Sequence, residues 1–155
     1  MWPYTEREAG FLGPAEPRGE LAARTLAMPA DTNPSGDIFG GWIMAMMDSA
    51  GSMTATRLAG GRTVTAAVSR IAFLQPVKVG DVVCCYTDVL RIGRSSTTLC
   101  VEVWVLRQGH GPRVKVTAAE FTFVALDGAG NPRPIAHSRV MQPAFPTAYP
   151  VTPPA

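Results

Sequence analysis

The stretch "IFGGWIMAMMDSAGSMTAT", Ile38 to Thr56, limits what this chain can fold into more than any other. Wound as a helix, it places Trp42, Ile43, Met44, Met46, Met47, Ala50 and Met53 on all sides and leaves hardly any polar face. A helix apolar all round belongs in the middle of something. Turn residues crowd the preceding "PADTNPSGD", and the "AGG" of Ala59–Gly61 supplies a glycine stop, so the spacing predicts a helix from near Gly40 to that stop. One carboxylate, Asp48, interrupts the apolar run. An unpartnered buried charge costs several kcal/mol, on the order of the stability margin of a whole domain. Either Asp48 reaches the surface or the protein keeps it for chemistry.

Before the helix, "LAARTLAM" (Leu21–Met28) reads as a short strand. After it come four β-rich runs, roughly Thr63–Phe73, Asp81–Ile92, Ser95–Arg107 and Arg113–Leu126. Turns fall at "VGD", "IGRSS" and "RQGHGPR". In "TLCVEVWVL" the alternation sets Leu99, Val101, Val103 and Val105 on one face and Cys100, Glu102 and Trp104 on the other, which argues antiparallel pairing. A twelve-residue strand spans about 40 Å and a nineteen-residue helix about 28 Å. The expected fold is therefore α+β: a five-stranded antiparallel sheet curled around one long central helix, in the order β-α-β-β-β-β. One helix cannot cover every apolar face of such strands. Trp104 and Tyr86 are expected to find burial against another subunit, which makes the chain an oligomer.

At 155 residues, 46% of them hydrophobic, the chain suits one domain with a sizeable core. Residues 1–20 read as a flexible leader, 21–135 as the single domain and 136–155 as a Pro-rich tail. The net charge of +2 comes from scattered basic residues, which argues against a nucleic-acid partner. Cys84, Cys85 and Cys100 have no CxxC spacing and read as reduced core cysteines. The N-terminus offers no signal-peptide run, and the apolar helix carries an acid and glycines that suit no membrane span. A cytoplasmic protein without a membrane partner is the default. His110 and His137 are too few for a zinc site or a Ser-His-Asp triad, and no GxSxG occurs.

The segments "TLAMPADTNPSGDIFGGWIMAMMDSAG", "FLQPVKVGDVVCCY", "GRSS" and "VEVWV", in this order and spacing, resemble the YciA-type acyl-CoA thioesterases of the hotdog-fold superfamily. The likeness runs from about Arg24 to Arg133. It implies a hotdog fold, hydrolysis of acyl-CoA thioesters within fatty acid metabolism, and dimers assembled into hexamers as a trimer of dimers. It implies no metal or redox cofactor. In that family the helical aspartate is catalytic, and here that position is Asp48. Asp37 stands where some relatives with fused hotdog domains carry a catalytic Asn.

Thioester hydrolysis needs a polarised carbonyl, an activated water or nucleophile, and a grip on CoA. The first turn of the helix presents unpaired N–H groups and the positive end of the helix dipole. Gly40 and Gly41 have no Cβ there, and the Gly41 N–H is the leading oxyanion donor, unless the glycines only allow tight packing. Asp48 acts as general base or as nucleophile, and apolar surroundings are expected to raise its pKa. Ser52, one turn later, either orients Asp48 or bonds back to its own helix. Asp37 has either a direct role or that of a cap for the helix, and Asn33 shapes the turn. Gly41 and Asp48 lie about 10 Å apart along one helix axis, too far to converge on one carbon. Two antiparallel helices from two subunits solve this, with Gly41 of one facing Asp48 of the other. In "RIGRSS", Arg91, Arg94, Ser95 and Ser96 suit the CoA phosphates, although such residues in a hairpin usually face water.

Two rivals share these features. A non-catalytic acyl-CoA sensor has no reason to keep a desolvated carboxylate. A hotdog enoyl-CoA hydratase uses an Asp-x-Asn-Pro-x-His pattern; "DTNPSG" matches its first places but has Gly36 where the histidine belongs.

Overall fold

The computed structural model describes residues 16–136. Strand β1 (Glu20–Leu26) leads through a short 3-10 turn to helix α1 (Gly40–Ala59), and strands β2 (Thr63–Phe73), β3 (Val82–Ile92), β4 (Ser96–Leu106) and β5 (Arg113–Ala125) follow. They form one five-stranded sheet, order β1-β3-β4-β5-β2, with every pairing antiparallel. The helix packs against all five strands, so the sheet does curl around it. No helix among the described residues is long and apolar enough to cross a membrane.

Helix α1 has no side-chain cap at its start, where Phe39 takes the N-cap position. It ends at Gly60, whose left-handed φ of 68° needs no Cβ and whose N–H returns to the carbonyls of Arg57 and Thr56. Ile43, Met47, Ala50, Thr54, Ala55 and Leu58 are buried on the sheet side. Leu99, Val101, Val103 and Val105 of β4 meet them, together with Phe121 and Phe123 of β5. The Thr54 and Thr87 hydroxyls pair at 2.8 Å across the helix–sheet interface, so neither is left unsatisfied.

The helix is not buried all round, as its composition suggested. One sheet covers one stripe of it, and Met44 and Met53 outside that stripe stay exposed, Met53 by 53%. The outer face of the sheet departs from expectation in the opposite sense. Trp104 is only 3% exposed within this chain, and Tyr86 is buried with it. The Trp104 indole N–H donates to Glu102 at 2.9 Å, and Lys115 both pairs with Glu102 at 2.8 Å and stands over the Trp104 ring. Residues 16–20, assigned above to the leader, close this side. The Arg18 N–H donates to Glu102 at 3.1 Å and its guanidinium pairs with Asp88 at 2.8 Å. Gly19 then lies so close to Thr87 that a Cβ would sit 2.0 Å from its carbonyl oxygen. The rest of the leader and nearly all of the tail, with His137, fall outside the described residues.

Candidate active site

Asp48 emerges from the middle of α1 on the flank between the buried stripe and the exposed face, and is half-buried. β2 turns back along the helix after Gly60 and Gly61, and this return puts the Thr65 hydroxyl on Asp48: Oγ1 donates to Oδ1 at 2.5 Å. The two line a cleft of about 280 Å³ with Met44, Ala45, Val68 and Phe121, an apolar surround for one hydrogen-bonded carboxylate. Ser52, one turn on, is half-buried and makes no bond to Asp48; the hydroxyl that does is on the strand. No motif marks Thr65 in the sequence, because its nearness to Asp48 exists only once β2 folds back.

At the start of the helix the first intrahelical bond is donated by Ile43 to the Phe39 carbonyl, and Trp42 shares that acceptor. The N–H groups of Gly40 and Gly41 have no backbone acceptor among the described residues. The glycines differ in setting. A Cβ on Gly40 would touch the Phe73 ring at 3.4 Å, whereas one on Gly41 would meet nothing within 4 Å. Packing inside this chain therefore does not explain Gly41. Its N–H points from an exposed helix end carrying the positive end of the dipole, which suits a developing oxyanion.

A second cavity, again about 280 Å³, opens beside that helix end, with Asn33, Asp37, Phe73, Gln75 and Val77 among its walls. Asn33 shapes the turn: its side-chain oxygen accepts the N–H groups of Ser35 at 2.9 Å and Asp37 at 3.1 Å. Asp37 does not cap the helix. Its carboxylate is ion-paired with Lys78, whose loop lies far along the chain, so sequence spacing does not link the two.

The four residues suggested for CoA phosphates lie at the β3–β4 hairpin. Arg94 is exposed, and its carbonyl accepts the Ile135 N–H at 2.8 Å. Arg91 donates to the Thr98 hydroxyl at 3.3 Å. Ser95 and Ser96 are half-buried, and their carbonyls accept Ala125 and Gly93 N–H groups. None of the four lines either cavity.

Cys84, Cys85 and Cys100 are free and buried. Burial pushes the Cys85 thiol up to about 12. Burial, with the nearby Glu102 carboxylate, pushes Cys100 to about 11. Neither is a poised nucleophile.

Comparison with known proteins brings in one family. The model of the thioesterase superfamily matches residues 35–111. The acyl-CoA thioester hydrolase YciA of Salmonella typhimurium is 52% identical over 122 residues, which is 77% of this chain and 92% of that one. Among solved structures, the hexameric thioesterase y2039 from Yersinia pestis is 54% identical with a TM-score of 0.75, over 78% of this chain and 98% of that one. HI0827, described as a hexameric broad specificity acyl-coenzyme A thioesterase and solved as an aspartate-to-alanine mutant, is 52% identical with a TM-score of 0.75 over 77% and 88%.

Proposed function

We propose that this chain, which belongs to the YciA-type acyl-CoA thioester hydrolases of the thioesterase superfamily and has their hotdog fold, splits acyl-CoA into free acid and CoA at a site shared between two protomers. One observation carries the reading. A carboxylate held by a hydroxyl faces an apolar cleft, and on the same helix a glycine N–H with no acceptor stands where no side chain of its own chain crowds it.

The steps follow from those positions. Thr65 occupies Oδ1 of Asp48, and Oδ2 takes a proton from water as the water oxygen attacks the thioester carbon. The carbonyl oxygen gains negative charge and is met by the Gly41 N–H of the facing protomer. The C–S bond then breaks, Asp48 returns its proton to the CoA sulfur, and the carboxylic acid ionises. Two antiparallel helices give each dimer two such sites. The support for a dimer is the apolar surface left beside them: Met44, Val64 and Val68 are all exposed, and β2 is an edge strand with a free side. We assign the assembly as a trimer of dimers. Asp37, with Lys78, lies on the Gly41 side and binds substrate there. Arg94 and Ser95, with Arg91 and Ser96, serve the CoA phosphates from the protomer whose cavity they do not line. Three free buried cysteines suit a reducing compartment, and we place the protein in the cytoplasm.

The test is free-thiol release from acetyl-, butyryl-, hexanoyl- and palmitoyl-CoA. Asp48→Asn is expected to lower turnover by about 10²–10⁴-fold, the scale of a lost general base. Single turnover in ¹⁸O-water is expected to label the acid and leave Asp48 unlabelled; label in Asp48 would make it the nucleophile. Tight acyl-CoA binding by the wild type with no thiol release would return the chain to the sensor reading.

A further inference from the structure

The "VGD" turn, Val79–Asp81, has no part in the chemistry above, yet Asp81 is 0% exposed. Its Oδ2 accepts the Arg107 Nη1 at 2.5 Å and the Lys78 backbone N–H at 2.9 Å, and its Oδ1 accepts the Gln108 N–H at 3.4 Å. The same guanidinium reaches the other end of the loop: Nη1 donates to the Pro76 carbonyl at 2.9 Å and Nη2 to the Gln75 side-chain oxygen at 3.4 Å. One arginine, placed just after β4, thus ties both ends of the segment between Leu74 and Asp81.

That segment is a wall of the cavity beside the helix start, through Gln75, Pro76 and Val77. It also anchors the approach to α1. The Ile38 N–H donates to the Val77 carbonyl at 2.9 Å, and Lys78 holds Asp37. A buried ion pair is a weak source of net stability. A planar fork that holds a carboxylate, a carbonyl and an amide oxygen together is a strong source of geometry.

We propose that Arg107 is a positioning residue, which through Asp81 and Pro76 holds the Leu74–Asp81 loop as the substrate wall at the start of α1 and keeps Lys78 against Asp37. The inference rests on the thioesterase reading for its consequence but not for its geometry. Arg107→Lys keeps a charge for Asp81 and cannot reproduce the fork. It is expected to lower kcat/KM for butyryl-CoA about 10-fold or more, since a misplacement near 1 Å can cost about 10²-fold. The backbone amides of Ile38 and Lys78 are expected to exchange faster with solvent. Lys78→Met acts through the same loop, so the double variant loses no more than the worse single. Lys115→Met, which breaks a buried pair on the outer face, is the comparator for plain destabilisation: its Tm falls while kcat/KM holds.

Wild-type kinetics and exchange in Arg107→Lys would overturn the proposal. So would additive losses in the double variant, or activity that simply tracks Tm in Arg107→Lys and Lys115→Met alike. A wild type that releases no thiol from any acyl-CoA defeats the thioesterase reading alone, and unchanged exchange at Lys78 in Arg107→Lys then still decides against the clamp.

Discussion

A hydroxyl that donates to one oxygen of a carboxylate fixes its plane and leaves the other oxygen free. Thr65 donates to Asp48 in this way, and in the proposed mechanism the second oxygen takes the proton of water. A hydrogen bond to a charged group is worth about 1.5–3 kcal/mol, so Thr65→Val should lower kcat by about 10–100-fold and Thr65→Ser should keep most of it. Thiol-release rates on one acyl-CoA check both. Asp48 drew attention in the sequence because a lone acid in an apolar run has few structural excuses, and Gly41 because helix starts are predictable. Thr65 and Lys78 were not legible. Each reaches its carboxylate from a segment whose position depends on the folded sheet. Thr65, and not Ser52 of the same helix, bonds Asp48, because a strand beside a helix can offer a hydroxyl closer than the next turn does.

At the scale of the helix, two glycines ten residues apart make opposite tests. A Cβ on Gly51 would sit 2.8 Å from the Phe123 ring, which is held by stacking on Phe121. Gly51→Ala should therefore cost about 1–3 kcal/mol as overpacking, seen as a lower Tm, with turnover per folded enzyme retained. Gly41→Ala meets nothing within its chain. It should fold normally and lose about 10²–10³-fold in kcat, the scale of a spoiled oxyanion donor. The elements themselves were readable, from periodicity, glycine stops and turn clusters, to within a residue or two at each end. What composition could not show was which apolar surface the chain covers by itself. Trp104 looked orphaned, yet Glu102, Lys115 and the incoming Arg18 close over its side of the sheet. Met53 looked buried, yet about half of it is exposed.

For the whole molecule, part of the uncovered apolar surface, Met44, Val64 and Val68, lies on the helix and β2 beside the Asp48 cleft, so assembly and activity should fail together. Val68, 40% exposed beside the Asp48 cleft, is the place to test this. Val68→Glu should shift the sedimenting species to lower mass and abolish thiol release, while the wild type sediments as an oligomer at micromolar concentration. Alkali should act globally through the thiols. Burial pushes Cys85 up to about 12 and Cys100 up to about 11, against 9.0 for an unburied thiol. Above about pH 9 the unfolded chain binds fewer protons than the folded one, so stability falls as pH rises toward those values; denaturant midpoints from pH 8 to 11 check the slope. The same burial makes the native enzyme a silent vessel for its own assay. A disulfide reagent added to watch CoA appear finds no cysteine to titrate, so any slow extra colour in a substrate-free blank is a clock for the fold coming apart.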